Sequence, residues 1–270
     1  MISLLSEQQL KELELYPESD GKPMAENTEQ YRWIVMIKEN LEILFSAVPD
    51  VFVAADLFWY PVPKTETESI APQAPDVMVV VGRPKGRRGS YRQWEEANLA
   101  PQVVFEILSP GNKTVQGKQE MQQKLAFYQT YGVEEYYIYD PDDWVLEGWQ
   151  RHGQQLLPID DIGRWSSPRL GIQFEWQPGQ ELILRYPDGR PFLSSVELAQ
   201  QVEQERIQRE LAQQQAELAQ QQVEQERIQR ELAQQRAEQE RQRAEQERQR
   251  AEQLVAYLRS IGINPDDLKL

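Results

Sequence analysis

The spacing of apolar residues predicts three helices in the first half of the chain. In residues 27–47 the apolar side chains fall on one helical face, and Asn27 is a typical capping residue at the start. A shorter helix is predicted at residues 6–15. A third is predicted at residues 118–131, where the following Gly132 is a natural stop.

Shorter apolar runs between these helices predict strands. Residues 76–81 are apolar on both faces after the first position, which indicates a strand in the middle of a sheet. A proline-rich connection is expected at residues 61–75 and a polar loop at 82–100. The predicted strands cover residues 51–60, 76–81, 102–108, 135–140, 144–150, 171–176 and 181–186. This order favours an α/β fold with a mixed central sheet flanked by helices.

The last quarter of the chain is repetitive and polar. Residues 200–214 return unchanged at 221–235, a period of 21 residues or three heptads, and RAEQERQ then occurs twice. The strict seven-residue period predicts a long charged helix or left-handed coiled coil at residues 196–260, with a short tail at 261–270. Its apolar seam is thin, so an isolated solvated helix is the alternative to contact with another copy or a partner helix. The apolar seam residues are Ile207, Leu211, Leu218, Ile228 and Leu232.

Composition assigns the globular core to residues 1–195. They contain all seven tryptophans, ten of the eleven tyrosines and thirteen of the fourteen glycines. The remainder lacks the aromatic residues and turns that a core needs. We therefore predict one domain followed by a helix.

The chain has no cysteine and one histidine, His152, which excludes thiolate sites and the usual imidazole metal sites. Hydrolytic chemistry would need carboxylates, lysine and a hard cation. The net charge of −15 disfavours phosphate binding over the whole surface. No run of about 18 apolar residues occurs, so we expect no membrane span and a cytoplasmic protein.

Two acids lie where burial is costly. Asp76 opens one apolar strand and Glu106 interrupts another, so each needs a cation, a metal or several hydrogen bonds unless a strand end leaves it solvated. Lys124 shares one face of the following helix with Met121 and Tyr128, and is a candidate counter-charge. A surface pair between Lys124 and Glu120 is the simpler alternative.

These residues resemble a known family. The strings PDVMVVVG, VVFEILSPGN and EMQQKLAFYQTYGVEEYYIYDP look like the Uma-two family of restriction-endonuclease-like proteins, in the PD-(D/E)xK nuclease superfamily. The resemblance spans about residues 20–190. It implies a restriction-endonuclease-like domain over residues 1–195.

The resemblance also implies a metal site. Asp76 and Glu106 would bind Mg²⁺, with Mn²⁺ as an alternative, and Lys124 would assist the water nucleophile. Leu108 fills the position where the superfamily has its lysine, and the family resemblance places the lysine at Lys124 instead. Glu120 stands where many relatives have an aspartate. Glu26 is a further possible acid, although a role at the helix amino end is the simpler reading.

Five cations follow the strand of Asp76 and are the best local candidates for phosphate contact, unless they only solubilise the loop. They are Arg83, Lys85, Arg87, Arg88 and Arg92. The leading hypothesis is a Mg²⁺-dependent endonuclease that hydrolyses DNA phosphodiester bonds. The alternative is a catalytically inactive nuclease-fold scaffold that recruits partners through residues 196–260.

Overall fold

The computed structural model describes residues 6–21, 23–65 and 69–262 of the 270-residue chain. The chain divides into two units, Met1–Ala199 and Gln200–Leu270. The predicted tail at residues 261–270 lies outside the described residues from position 263 onward.

In the described residues of the first unit, two α-helices precede the first five strands, and a third α-helix precedes the other five. The helices are α1 (Glu7–Leu15), α2 (Thr28–Leu44), α3 (Val115–Tyr131) and α4 (Ser195–Ser260). The strands are β1 (Val51–Ala54), β2 (Trp59–Tyr60), β3 (Val77–Val81), β4 (Tyr91–Arg92), β5 (Val103–Ile107), β6 (Glu135–Asp140), β7 (Val145–His152), β8 (Gln155–Pro158), β9 (Gln173–Glu175) and β10 (Ile183–Arg185).

A six-stranded sheet in the order β1-β3-β5-β6-β7-β8 forms the centre of this unit. Strands β5 and β6 are parallel and the other neighbours are antiparallel, so the sheet is mixed. Buried residues of α2 pack on one face, and Tyr128 of α3 belongs to the cluster on the other face. The predicted α/β class, with a mixed sheet between helices and a long helix after it, is confirmed.

The helix ends follow the capping signals in the sequence. The side chain of Asn27 accepts a hydrogen bond from the backbone N–H of Gln30 at 2.8 Å, which satisfies a free donor at the start of α2. Gly132 ends α3 in the left-handed conformation, with φ of 102°. Both predicted ends are confirmed.

The single strand predicted at residues 51–60 is wrong. It is broken into β1, in the central sheet, and β2, which pairs in parallel with β4. Asp56 lies between them with φ of 48°, a conformation that turns the chain out of the sheet. The strands predicted at 171–176 and 181–186 form a separate two-stranded sheet of β9 and β10, and β8 was not predicted.

The second unit consists of α4 in its described part. This helix of 66 residues has no buried residue. The five apolar residues of its predicted seam are about half exposed, from 44% for Ile207 to 58% for Leu218. Nothing in the described chain covers its predicted seam.

Candidate active site

Two acidic residues occupy opposite positions on neighbouring strands. The antiparallel register of β3 and β5 pairs Val77 with Phe105, so Asp76, one residue before β3, stands opposite Glu106. Glu106 shares its sheet face with Val104, which packs on the α3 side. The strands therefore bring both acids to the face that α3 covers.

Helix α3 brings an amine to this pair. The Nζ of Lys124 donates to Oε2 of Glu106 at 2.6 Å, and the two side chains are 24% and 3% exposed. Burial works to lower the pKa of Lys124, but the charges of Glu106 and Asp76 outweigh it and raise this pKa. Lys124 is therefore an ammonium at neutral pH.

Asp76 is held on the backbone of the neighbouring strand. Its Oδ2 accepts a hydrogen bond from the N–H of Ile107 at 2.6 Å. Burial, and then the charge of Glu106, raise the pKa of Asp76 from 3.8 to about 8, although Lys124 opposes the rise. Two carboxylates share one ammonium here, so the site is short of positive charge.

Two tyrosines complete the buried side of the site, and the sequence analysis assigned them no function. The hydroxyl of Tyr128 donates to Oε1 of Glu106 at 2.5 Å. Tyr136 packs edge-on against Tyr128, with ring centroids 4.9 Å apart. Among the described residues, its hydroxyl is the buried side-chain polar atom without a hydrogen-bond partner. The helical stripe that identified Lys124 also contains Tyr128, so that signal was present in the sequence.

A third acid lies close to the pair and was not predicted. The backbone N–H of Asp56 donates to the carbonyl of Pro75 at 3.1 Å, which places this turn beside Asp76. Burial and the charge of Asp20 raise the pKa of Asp56, while Lys124 lowers it. The negative charge around Lys124 therefore extends beyond the two predicted acids.

The two possible accessory acids hydrogen-bond to groups other than the ion pair, and the charge of Glu120 helps to raise the pKa of Lys124. Glu26 accepts a hydrogen bond from the Ser109 hydroxyl at 2.6 Å, beyond the end of β5. Its backbone N–H donates to Gln30, whose side chain donates to the Ile107 carbonyl at 2.8 Å. Glu120 is exposed and accepts from Gln116 at 3.0 Å. Lys124 pairs with Glu106, so the alternative pair with Glu120 is not formed.

The basic loop makes contacts within the protein. Arg83 and Arg88 each place Nε 2.6 Å from the carboxylate of Glu96, and Arg88 also stacks on Phe52. Burial alone would raise the pKa of Glu96, but the hydrogen bonds from Arg88 and Arg83 lower it. These two arginines therefore share one carboxylate, which offsets only part of their charge.

Two of the other three predicted loop cations also contact groups within the protein. Lys85 donates to the backbone carbonyls of Phe45 and Ser46, and Arg92 pairs with Glu12. In the described part of the chain Arg87 has neither a hydrogen bond nor an ion pair. Contact of this loop with nucleic acid stays a prediction, with Arg87 as its most available cation.

A groove of about 590 Å³ runs between α3 and strands β6 and β7. Its wall includes Leu125 and Ile138, and Ile138 is the cross-strand neighbour of Glu106. Lys118 and Glu147 line it further along. The groove therefore lies on the same sheet face as the ion pair.

The donor set suits a hard divalent cation. Asp76 and Glu106 offer carboxylate oxygens, and each oxygen of Glu106 keeps a lone pair after its bond to Lys124 or Tyr128. Over the ranges 6–21, 23–65 and 69–262, no three His, Cys, Asp or Glu side chains are grouped closely enough to hold a metal. A cation here would take most of its ligands from water and phosphate, as Mg²⁺ commonly does.

Within residues 6–21, 23–65 and 69–262, none of the helices has the length and apolar character of a membrane span.

Comparison with known proteins identifies a family match over the site. The family described as "Uma2: Putative restriction endonuclease" matches residues 50–185, half of the chain. No curated protein matches. A solved structure described as "a putative nuclease belonging to DUF820 from Anabaena variabilis ATCC 29413" is similar with a TM-score of 0.40 and 14% identity, over 57% of this chain and 82% of that one.

Proposed function

Because the chain belongs to the Uma2 family of "putative restriction endonucleases", as its resemblance predicted, we propose that it is a Mg²⁺-dependent endonuclease that hydrolyses DNA phosphodiester bonds. The observation that carries the proposal is the 2.6 Å contact between Lys124 and Glu106, with Asp76 opposite on the next strand. The two acids offer carboxylate ligands for a hard cation, and the amine offers a positive charge beside them.

In this proposal Asp76 and Glu106 hold the cation. Burial and the charge of Glu106 keep the pKa of Asp76 at about 8, and a bound cation would offset both, which supports this assignment. Mg²⁺, or Mn²⁺ in its place, would supply Lewis-acid activation of water and phosphate oxygens. The unpartnered hydroxyl of Tyr136 also fits a site that a ligand completes.

Lys124 acts as a positive charge in this scheme. Its raised pKa keeps the proton on Nζ, so it stabilises the negative charge that develops on the phosphate instead of taking a proton from water. Tyr128 fixes the other oxygen of Glu106 and so orients the carboxylate toward the amine. The roles of both residues follow from their bonds to Glu106.

The test is cleavage of duplex DNA by the full chain with Mg²⁺. Lys124→Met should lower the rate at least about 100-fold, the usual loss when one charge-stabilising donor is removed. Asp76→Asn should lower it similarly. Lys38→Met is the matched control, because Lys38 lies on α2 and pairs at 2.9 Å with Glu42. Equal rates for Lys124→Met and Lys38→Met would refute the assignment.

A catalytically inactive scaffold is the second candidate. Two observations favour it: the described residues lack a three-acid metal cluster, and α4 is exposed along its length. The wild-type chain would then cleave neither DNA nor RNA with Mg²⁺ or Mn²⁺. Such a result, with the folded state intact, would replace the endonuclease proposal.

We also propose that the chain self-associates through residues 196–260. The exposed apolar residues of α4 and its seven-residue period support this. Sedimentation of the full chain at micromolar concentration should give a mass above that of one chain. A monomer there would contradict the proposal.

A further inference from the structure

The heptads of α4 contain a seam without charge. With Ile207 at position d and Leu211 at position a, every a and d residue from Gln200 to Gln253 is leucine, isoleucine or glutamine. The remaining positions contain all the glutamates and arginines between these limits. An uncharged stripe through such a charged helix is typical of a surface that faces another helix.

The positions beside the seam differ in charge. Position g is glutamate in eight consecutive heptads: Glu203, Glu210, Glu217, Glu224, Glu231, Glu238, Glu245 and Glu252. Position e is glutamine up to Gln229 and then arginine at Arg236, Arg243 and Arg250. One flank is therefore acidic throughout, and the other becomes basic toward the carboxyl end.

Some arginines of α4 form ion pairs within the helix, but those at position e do not. Arg206, Arg227 and Arg248, at position c, each lie 2.5–3.5 Å from two glutamates at position g. Arg236 and Arg243 make no ion pair with any residue that the structure describes, and Arg250 makes none either. Arg241, at position c, also makes none in the described chain, but position c does not flank the seam. The e arginines are therefore the unpaired cations beside the seam.

We propose that α4 assembles with further copies of this chain in parallel and in register; the inference rests on the self-association proposed above. At zero offset the five Ile and Leu positions each meet their own copy, whereas an offset of one 21-residue repeat aligns two. Position g then meets position e of the next heptad on the neighbouring helix, so Glu231 faces Arg236. The next two heptads repeat this contact, with Glu238 facing Arg243 and Glu245 facing Arg250.

An antiparallel pair is the main competitor, because the seam alone does not exclude it. Centred between residues 219 and 220, it would oppose Ile207 to Leu232 and Leu211 to Ile228. In this arrangement g faces g, so Glu210 meets Glu231 and every such contact is between like charges. The charges at positions e and g therefore favour the parallel arrangement over the antiparallel one.

A parallel assembly has a consequence for the candidate active site. Each first unit precedes the amino end of its own α4, so the first units of all copies join the assembly at the same end. Several copies of the Asp76 and Glu106 pair would then be available to one DNA molecule. An antiparallel assembly would join them at opposite ends.

Disulfide crosslinking tests the arrangement, because the chain has no cysteine of its own. In the full chain, Gln235→Cys at position d should give a covalent dimer under mild oxidation, since residue 235 meets its own copy. Arg230→Cys, at the outward position f, is the control and should give none. An antiparallel pair would instead link Gln235→Cys to Gln204→Cys in a mixture of the two variants, and would overturn the inference.

Charge reversal gives a second readout. Changing Arg236, Arg243 and Arg250 to Glu should weaken association at least about tenfold, because it places like charges along the parallel flanks. The matched control changes Arg227, Arg241 and Arg248 at position c, and should weaken it less. If the first triple change leaves the strength of association unaltered, that result would contradict the parallel arrangement. A monomeric wild type would instead refute self-association itself.

Discussion

The substitution Asp76→Asn should separate function from stability, because it removes a charge that the fold accommodates poorly. Asp76 accepts one backbone hydrogen bond at 2.6 Å and stands opposite Glu106. An asparagine oxygen can accept the same bond, and its amide group can donate to Glu106. We expect the variant to lose DNA cleavage yet unfold less readily than the wild type in the absence of metal.

The raised pKa sets the size of the effect. A carboxyl group with a pKa of 3.8 when unfolded and about 8 when folded stabilises the protein fully below pH 3.8, and this contribution is lost as pH rises toward 8. The slope is about 1.4 kcal/mol per pH unit for this one group. At pH 7 the asparagine variant should therefore gain up to about 4 kcal/mol in the free energy of unfolding.

Urea denaturation at several pH values, with a chelator present, measures this directly. The difference between Asp76→Asn and wild type should grow from pH 5 to pH 8. Asp160→Asn, at an exposed acid, is the control and should show a constant difference. Added Mg²⁺ should then stabilise the wild type more than Asp76→Asn. A difference that stays constant with pH would refute the argument that Asp76 is buried without enough positive charge.

Two further substitutions test the contacts around the site and the core. Tyr128→Phe removes the 2.5 Å hydrogen bond to Glu106 and should lower the cleavage rate about tenfold. The near-UV circular dichroism spectrum should stay unchanged, and an unaltered cleavage rate would exclude a positioning role for Tyr128. Asn40→Ala removes the bonds of a fully buried side chain to Tyr186 and Leu193 and should lower the free energy of unfolding by about 3 kcal/mol, measured in urea. A loss below about 1 kcal/mol would show that these buried hydrogen bonds of Asn40 contribute little to stability.

The parts of the fold that could be predicted from the sequence depend on local signals. Asn27 and Gly132 mark helix ends through their own backbone chemistry, and β6 coincides with the predicted strand at 135–140. The juxtaposition of Glu106 and Lys124 also has a local basis. A buried acid needs a counter-charge, and the apolar face of α3 that packs on the sheet includes one lysine, Lys124.

The features that were missed depend on contacts distant in sequence. The run at residues 51–60 is apolar and aromatic except for Asp56, and nothing in it shows that this residue adopts a positive φ. Arg92 pairs with Glu12, eighty positions earlier, so its use inside the protein was hidden. Tyr136 looks like an ordinary core residue until its neighbours across the sheet are known.

The internal pairing of the loop arginines affects how a target would be searched for. A polyanion approaching this chain meets a net charge of −15, and the pairing of Arg83 and Arg88 with Glu96 weakens the attraction of the basic loop. Encounters with random sequence would then be brief at low ionic strength, and added salt would weaken the repulsion. On the endonuclease proposal, this charge distribution would favour slow capture of a DNA target over indiscriminate binding.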